Sequence, residues 1–421
     1  MRRLYFALAL LCLLLLAISG CAAGAATSQQ EASHPPTSQL QGQGAVVNKC
    51  QGRDLATSAT IQSSVATRQT LYFAGSSNLY AISASNGALR WCNHVSLAQR
   101  FNCPMGASCP APPSAIFGIP TVVDGVVYVC ASGGASDVTY AFNASNGALR
   151  WSANTDCWIV DMPFGDNAAP IVSNGAVYSG TYALRARDGK KLWKVSYNVQ
   201  QDGAFSLQAL VHGVIYANTE DYIYAMNASN GSILWRFAPQ NQMPIGGPLV
   251  VAATTVYVGT LSSVGQPDAS MFYALNAENG ALRWQYHMGE YTGAALANNV
   301  IYVSSRGQYL YALNLTNGAL YWRHRFNGPV YNAASVVNTT LYLNGDGAYA
   351  LSAQNGAILW HQLLGASQSM SFIPSTVVDG VDYLASIDGE GNSILYALNA
   401  ANGQQYWHVS GFPQVSTLTV A

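Results

Sequence analysis

A phrase of twelve residues that occurs eight times constrains the fold of this chain more than any other feature. Its clearest copy is YALNAENGALRW, Tyr273–Trp284. Every copy starts with Tyr-Ala, carries Asn-Gly or Asp-Gly at its seventh and eighth positions and ends in Trp; the other copies are Tyr80–Trp91, Tyr140–Trp151, Tyr182–Trp193, Tyr224–Trp235, Tyr311–Trp322, Tyr349–Trp360 and Tyr396–Trp407. Recurrence at spacings of 38 to 60 residues indicates a repeat architecture.

Each copy of the phrase predicts a β-hairpin. Tyr-Ala-Leu-Asn alternates its side chains between two faces, as a strand does. The Asn-Gly pair supplies the positive φ that a tight hairpin turn requires, and a second strand then leads to the Trp. Because a hairpin alone is only marginally stable in water, the copies must stack on one another.

A tyrosine in a short apolar run lies upstream of every copy, and a Val-rich run such as PTVVDG (120–125) often precedes it. Each repeat therefore predicts four antiparallel strands, which we name A to D in chain order. Repeats of four strands are typical of β-propellers. The sequence predicts an all-β fold, an eight-bladed β-propeller of four-stranded antiparallel blades over residues 50–421, with the Trp of strand D wedged between blades. Either Ser63–Thr67 or Val415–Ala421 offers the strand A that closes the ring.

The N-terminus has the features of a bacterial lipoprotein signal. Arg2 and Arg3 precede an apolar run, Leu4–Ile18, and Ile-Ser-Gly-Cys follows and ends at Cys21. The run is shorter than the roughly 20 residues of a membrane-spanning helix, so it suits a cleaved signal peptide at 1–20, and an uncleaved anchor is the alternative. Residues 21–49 then comprise a lipidated Cys21 and a disordered tether of small and polar residues. This organisation predicts an exported lipoprotein on the outer face of the cell membrane, or in the periplasm at the outer membrane.

The cysteines indicate disulfides in an exported chain. Six remain beyond Cys21, all in the first part of the propeller, and an even number in such a chain favours pairing. Cys103 and Cys109 form the simplest pair because they close one short Pro-rich loop. The pairing of the other four stays open: Cys50, Cys92, Cys130 and Cys157. Zinc is the competing interpretation, but no Cys-x-x-Cys spacing occurs in the sequence.

Candidate binding residues lie in the D–A connections, which emerge with the B–C connections on one face of a propeller. Long loops on a rigid scaffold often carry function, and the longest here are 93–118, 261–269 and 387–393. Carboxylates, amides and aromatic rings in these connections suit a cation or a polar ligand at the mouth of the channel; the candidates are Trp158, Asp161, Asp166, Asn167, Asp202, Glu290, Tyr331 and Asn332. The alternative is that these groups bond to the loop backbone.

Composition and motifs narrow the function classes. Charged residues make up only 9% of the chain and form no basic run, which argues against a nucleic-acid partner. The turn at 388–392 alternates oxygen ligands with glycine but lacks the distal Glu of a calcium loop. No nucleophile elbow, His-Glu-x-x-His or phosphate loop is present in the sequence, so no residue is assigned a catalytic role.

The repeated phrase resembles the repeat of the pyrroloquinoline quinone (PQQ) dehydrogenases and their non-catalytic relatives over about residues 60–411. The enzyme branch implies an eight-bladed propeller with PQQ and calcium at its channel, but its adjacent Cys-Cys pair is missing from this sequence. The other branch, the BamB-type lipoproteins of outer-membrane barrel assembly, implies a lipid anchor, a protein partner and no cofactor. The lipoprotein signal, the tether and the blade number resemble this second branch.

The sequence therefore predicts a lipid-anchored propeller outside the cytoplasm that binds a protein in the cell envelope, without cofactor or metal. Two alternatives remain open. One is a PQQ-dependent oxidoreductase that uses PQQ and calcium. The other is a sensor that binds a polysaccharide or another ligand.

Overall fold

Each repeat of the sequence forms one antiparallel sheet in the computed structural model. The structure describes residues 46–50, 58–61, 67–75, 77–96, 116–132, 137–157, 169–196, 205–240, 242–261, 270–364, 373–413 and 415–421. These residues belong to one compact unit, 44–421. All the regular secondary-structure elements among the described residues are strands. None of these residues forms a helix that is long and apolar enough to cross a membrane.

The first half of the ring contains blades one to four. Two outer strands come first, β1 (Val46–Lys49) and β2 (Ser58–Ile61). Blade one contains β3 (Thr70–Gly75), β4 (Asn78–Ser83) and β5 (Leu89–Ser96). Blade two contains β6 (Ile116–Phe117), β7 (Thr121–Val123), β8 (Val126–Ser132), β9 (Asp137–Asn143) and β10 (Leu149–Thr155). Blade three contains β11 (Ile171–Ser173), β12 (Ala176–Ser179), β13 (Tyr182–Arg185) and β14 (Lys191–Lys194). Blade four contains β15 (Ser206–Val211), β16 (Val214–Asn218), β17 (Ile223–Asn227) and β18 (Ile233–Phe237).

The second half of the ring repeats the pattern. Blade five contains β19 (Ile245–Ala252), β20 (Thr255–Thr260), β21 (Ser270–Asn276) and β22 (Leu282–Met288). Blade six contains β23 (Tyr291–Ala297), β24 (Val300–Ser305), β25 (Tyr309–Asn314) and β26 (Leu320–Arg325). Blade seven contains β27 (Ser335–Val337), β28 (Thr340–Asn344), β29 (Ala348–Ser352) and β30 (Ile358–Gln362). Blade eight contains β31 (Thr376–Val378), β32 (Val381–Ile387), β33 (Ser393–Asn399) and β34 (Gln405–Phe412), and β35 (Thr419–Val420) ends the chain. The eight-bladed β-propeller predicted from the repeat is confirmed.

The C-terminus closes the ring. Strand β35 pairs with β3 in the antiparallel register Leu71↔Val420 and Tyr72↔Thr419, and so supplies strand A of blade one. The backbone of Thr70 and Ala421 exchanges two hydrogen bonds, of 2.7 and 3.0 Å, at the end of this pairing. Of the two segments that offered this strand, Val415–Ala421 supplies it, and residues 63–66 of the other segment lie outside the described residues.

Two strands from the N-terminal segment pair with the outer edges of blades one and eight. Strand β1 pairs with β5, and β2 pairs with β34. Residues 46–49 therefore lie in a sheet, although the sequence assigns them to the tether. An exposed strand edge carries unpaired backbone N–H and C=O groups. Strands β1 and β2 provide hydrogen-bond partners for these groups on the outer strands of blades one and eight, on both sides of the closure.

The eight repeat tryptophans link neighbouring blades, as predicted. Each indole N–H donates to a backbone carbonyl in the C–D hairpin of the next blade, at 2.8 to 3.2 Å. The last link runs from Trp407 to Ala84 and joins blade eight to blade one. Trp407 is fully buried, whereas Trp193, Trp235, Trp322 and Trp360 are half-buried.

The hairpin glycines have a second role that the phrase alone did not reveal. Gly318 adopts φ +72°, and a Cβ at this position would lie 2.5 Å from Cε3 of Trp284. The turn therefore needs glycine both for its backbone conformation and because the tryptophan of the preceding blade packs directly against it.

Candidate functional site

The candidate site lies on the face of the ring that carries the D–A and B–C connections, which we call the loop face. The opposite face carries the A–B and C–D turns, and we call it the turn face. Part of the predicted site falls outside the described residues: Cys21, Cys103, Cys109, Trp158, Asp161, Asp166, Asn167 and Asp202. Of the channel-mouth candidates, Glu290, Tyr331 and Asn332 are described.

Arg306 brings two of these three residues together. Glu290 precedes strand A of blade six, Arg306 lies in the B–C connection of that blade, and Tyr331 precedes strand A of blade seven. The Arg306 guanidinium lies 3.3 Å from Oε1 of Glu290, and its carbon lies 5.8 Å from the ring centroid of Tyr331. We call these three residues the Arg306 cluster. Sequence reasoning missed Arg306 because only the folded ring brings the B–C connection against two D–A connections.

The backbone beneath the Arg306 cluster is held by contacts between blades. The backbone N–H of Arg306 donates to the carbonyl oxygen of Glu290 at 2.9 Å. The hydroxyl of Thr292 donates to the carbonyl oxygen of Val330 at 3.0 Å, which ties blade six to blade seven. The cluster is thus mounted on rigid strand ends, as binding residues on a scaffold need to be.

Burial separates the three described candidates. The Glu290 carboxylate is 21% exposed and its partner Arg306 is 42% exposed. Tyr331 is 9% exposed and Asn332 only 3%. An ion pair at this exposure contributes little to stability. Asn332, by contrast, lies below the surface of the loop face.

Two acidic residues, Asp156 and Asp137, lie on the loop face at blades two and three. Asp156 accepts a 2.8 Å hydrogen bond from the backbone N–H of Thr181, and its Oδ2 lies 3.2 Å from Nζ of Lys194. Asp137 accepts a 2.6 Å hydrogen bond from the Ser132 hydroxyl. Burial raises the pKa of the Asp137 carboxyl, the Ser132 bond opposes this, and the charge of Asp156 adds to it. Asp156 stands at the start of the D–A connection that carries Asp161 and Asp166, and Asp137 begins β9, opposite Thr155 of β10.

Two disulfides settle the pairing of the four cysteines that the sequence left open. Cys50 is bonded to Cys92, with Cα atoms 5.5 Å apart, and ties the chain after β1 to strand D of blade one. Cys130 is bonded to Cys157, with Cα atoms 6.3 Å apart, and ties strand B of blade two to the start of its D–A connection.

The turn at 388–392 uses its carboxylate internally. Oδ1 of Asp388 accepts hydrogen bonds from the backbone N–H groups of Glu390, at 2.9 Å, and Asn392, at 2.8 Å. This is the local side-chain to backbone bonding that Asp provides in turns. Among the residues that the structure describes, no group of three or more His, Cys, Asp or Glu side chains is placed to hold a metal ion.

A buried carboxyl group lies between blades seven and eight. Asp382, on strand B of blade eight, is fully buried, and its Oδ2 lies 3.3 Å from the hydroxyl of Ser375. The same hydroxyl lies 3.3 Å from Oδ1 of Asn344, on strand B of blade seven. Burial raises the pKa of Asp382 to about 7, and the Ser375 bond only partly offsets this. The sequence did not reveal this buried carboxyl group, because VDGVDY (378–383) has the pattern of a turn followed by a strand.

Comparisons with known proteins identify the family of this chain and relatives with a similar sequence or fold. The family model described as outer membrane protein assembly factor BamB matches residues 41–197, 178–293 and 267–414. The chain is 28% identical to the outer membrane protein assembly factor BamB of Yersinia pestis over 131 residues, which are 28% of this chain and 32% of that protein. It is also 28% identical to the polyvinylalcohol dehydrogenase of a Pseudomonas species over 194 residues, 39% of this chain and 30% of that protein.

Among solved structures, BamB from Moraxella catarrhalis is similar with a TM-score of 0.52 and 14% identity, covering 85% of this chain and 98% of that one. At this identity the likeness concerns the fold. The chain spans less than a third of the length of the curated relatives that it matches. The matches of the family model, in contrast, extend from residue 41 to residue 414 and include every repeat phrase, and the chain therefore belongs to the PQQ-like repeat family described as outer membrane protein assembly factor BamB.

Proposed function

We propose that this protein is a lipid-anchored propeller outside the cytoplasm that acts as a non-enzymatic scaffold and binds another protein of the cell envelope. The observation that carries the proposal is the match of the BamB family model across residues 41–414. The lipoprotein signal that ends at Cys21 supports the anchor. The similarity to the outer membrane protein assembly factor BamB of Yersinia pestis supports the proposal that this chain binds another protein.

The Arg306 cluster is the surface that we propose for this partner. Arginine and tyrosine are enriched at the energetic centres of protein interfaces. The exposed Arg306 side chain lies against the ring of Tyr331 and beside the Glu290 carboxylate. A partner that presents an acidic group would compete with Glu290 for the Arg306 guanidinium.

Affinity capture of the full lipidated chain from native membranes tests the proposed role, with co-purified proteins identified by mass spectrometry. The proposal expects subunits of an outer-membrane barrel-assembly machinery in the eluate, and their yield should fall in an Arg306→Ala variant. Arg283→Ala is the matched control, because Arg283 bonds to Thr255 in its own blade at 2.9 Å near the turn face. Equal yields of co-purified proteins from both variants would exclude the Arg306 cluster as the binding surface. An eluate without assembly subunits would overturn the BamB-type role.

Mass spectrometry of the mature N-terminus tests the anchor separately. The proposal expects the chain to begin at a lipidated Cys21. An unmodified Met1 would contradict the lipoprotein assignment and leave the binding role untouched.

A PQQ-dependent oxidoreductase is the second candidate function, and the similarity to polyvinylalcohol dehydrogenase over 39% of the chain favours it. Isothermal titration of the purified protein with PQQ in the presence of calcium chloride tests it. Stoichiometric binding together with alcohol-dependent reduction of a dye would support this candidate. A titration without heat of binding would reject it.

A further inference from the structure

A groove on the turn face separates blades six and seven. It has a volume of about 520 Å³, within the range of about 300–1,000 Å³ that is usual for ligand sites. Among the residues that the structure describes, no charged side chain lines it. Its walls carry three aromatic rings and three neutral polar side chains: Tyr302, Tyr321, Trp322, Asn298, Thr339 and Gln354. We call it the Tyr321 groove.

The aromatic wall is held in place before any ligand arrives. Tyr321 is 54% exposed, yet its phenol oxygen accepts a 2.5 Å hydrogen bond from Nδ2 of Asn314. The Trp322 indole donates to the carbonyl oxygen of Ala353 at 3.2 Å, and its ring centroid lies 5.9 Å from that of Tyr302. Tyr321 is the exposed ring of this wall, whereas Trp322 is half-buried and Tyr302 is buried. Because Asn314 already holds Tyr321, its ring loses little conformational entropy on binding.

The residue before the repeat tryptophan distinguishes this groove from the corresponding places in blades one and five. In those blades it is an arginine that binds the threonine hydroxyl at the start of its own strand B: Arg90 to Thr70 at 2.6 Å, and Arg283 to Thr255 at 2.9 Å. In blade six the two positions are Tyr321 and Val300. A charged, hydrogen-bonded pair is thus replaced by an aromatic ring and an aliphatic side chain, which leaves an uncharged surface.

The polar groups of the groove complement this surface. Asn298 and Gln354 bring amide donors and acceptors, Thr339 brings a hydroxyl, and all three are exposed. A charged ligand would find no counter-charge there, and desolvating a charge without one is costly. The ligand that fits is therefore neutral, has an apolar face for the rings and carries hydroxyl groups for the amides.

We infer that the Tyr321 groove binds a neutral pyranose unit of an oligosaccharide. One face of such a sugar ring presents C–H groups to an aromatic ring, while its hydroxyls reach neighbouring amides. The site lies on the turn face, so this inference is independent of the partner proposed for the loop face. A neutral extended peptide is the competing occupant.

The test is calorimetric titration of the full chain with three neutral probes, cellohexaose, maltohexaose and hexa-N-acetylchitohexaose. At least one is expected to bind with a dissociation constant in the millimolar range or below. Replacing an aromatic contact, Tyr321→Ala, should weaken that binding about tenfold. Leu234→Ala is the matched control, because Leu234 precedes the tryptophan of blade four and is 52% exposed, and its affinity should equal that of the parent.

Tyr321→Phe keeps the ring and loses the bond to Asn314, so it should retain most of the affinity. Thermal unfolding of all three variants verifies that they are folded, which their exposed positions favour. The inference is overturned if none of the probes binds at millimolar concentration, or if Tyr321→Ala and Leu234→Ala bind equally well. If uncharged hexaalanine binds and none of the saccharides does, and if Tyr321→Ala weakens the binding of hexaalanine about tenfold, the groove is assigned to a peptide.

Discussion

The indole nitrogen of Trp407 donates a 3.1 Å hydrogen bond to the carbonyl oxygen of Ala84, which lies 323 residues earlier in the chain. The hydroxyl of Tyr383 lies 3.3 Å from the same carbonyl oxygen. The seven other repeat tryptophans make the equivalent bond between sequential blades, so this one completes a circle of eight. The long-range bond and the pairing of β35 with β3 act at the same closure between blades eight and one.

Trp407→Ala should destabilise the propeller by about 3–5 kcal/mol, the range for removing a large buried aromatic side chain. Trp360→Ala is expected to cost less, because Trp360 is only half-buried. Urea denaturation of both variants measures the difference. A loss below about 1 kcal/mol for Trp407→Ala would argue against the role of the tryptophans as links between blades.

Gly318→Ala and Gly175→Ala separate two effects of adding a methyl group. Both glycines have nearly the same positive φ, +72° and +73°, so both substitutions carry about 1 kcal/mol of backbone strain. Only Gly318 faces a tryptophan, Trp284, whereas Gly175 has no atom within 4 Å of the added Cβ. Gly318→Ala should therefore cost a further 1–3 kcal/mol, roughly, through overpacking. Equal free energies of unfolding for the two variants would contradict the close packing of the tryptophan on the hairpin.

The buried Asp382 carboxyl predicts that stability falls as the pH rises. Its pKa is raised to about 7 in the folded state, against about 3.9 in an unfolded chain. Between these values the folded state holds the proton and the unfolded state has released it. The stabilisation is complete below pH 4, declines above it and is lost once the pH passes 7.

Asp382→Asn should remove this dependence, since an amide stays neutral. We expect the variant to gain on the order of 4 kcal/mol relative to the parent between pH 4 and pH 8. Urea denaturation at both pH values measures the gain. A constant difference between variant and parent would show that Asp382 is ionised in the folded protein throughout this range.

The disulfide between Cys130 and Cys157 should stabilise the chain mainly by restricting its unfolded state. For a separation of 27 residues, loop closure predicts about 3–4 kcal/mol. The double variant Cys130→Ser with Cys157→Ser should lose this amount in chemical denaturation. The same loss should follow reduction of that bond in the parent, and a variant as stable as the parent would contradict the prediction.

The sequence predicted the parts of the fold that each repeat encodes locally. Tyr, Asn-Gly and Trp specified the blade, its hairpin and its link to the next blade. It did not predict the outer strands, because VVNK at 46–49 and SATI at 58–61 are too short to mark an edge without the sheet that they join. The C-terminal strand was visible only as one of two possibilities, since the repeat does not specify which end of the chain supplies strand A of blade one.

The candidate site was predicted less completely, because it depends on contacts between blades. Glu290 and Tyr331 were recognisable from their places in the D–A connections, but Arg306 joins them from a B–C connection. Cys50 follows β1 directly and Cys92 lies in β5, and no spacing in the sequence reveals the pairing of these two strands. Asp382 occupies a strand position like any other, and only the packing of blade seven against blade eight makes it buried.

Deleting residues 415–421 tests the closed ring most directly, because this change removes β35 and leaves every repeat phrase intact. The measurement is the free energy of unfolding in urea of a chain that ends at Gln414, compared with the full chain. We predict a large loss of stability, because strand B of blade one loses β35 as a partner and the closure between blades eight and one loses this backbone pairing. Unchanged stability would contradict a ring that its C-terminal strand closes.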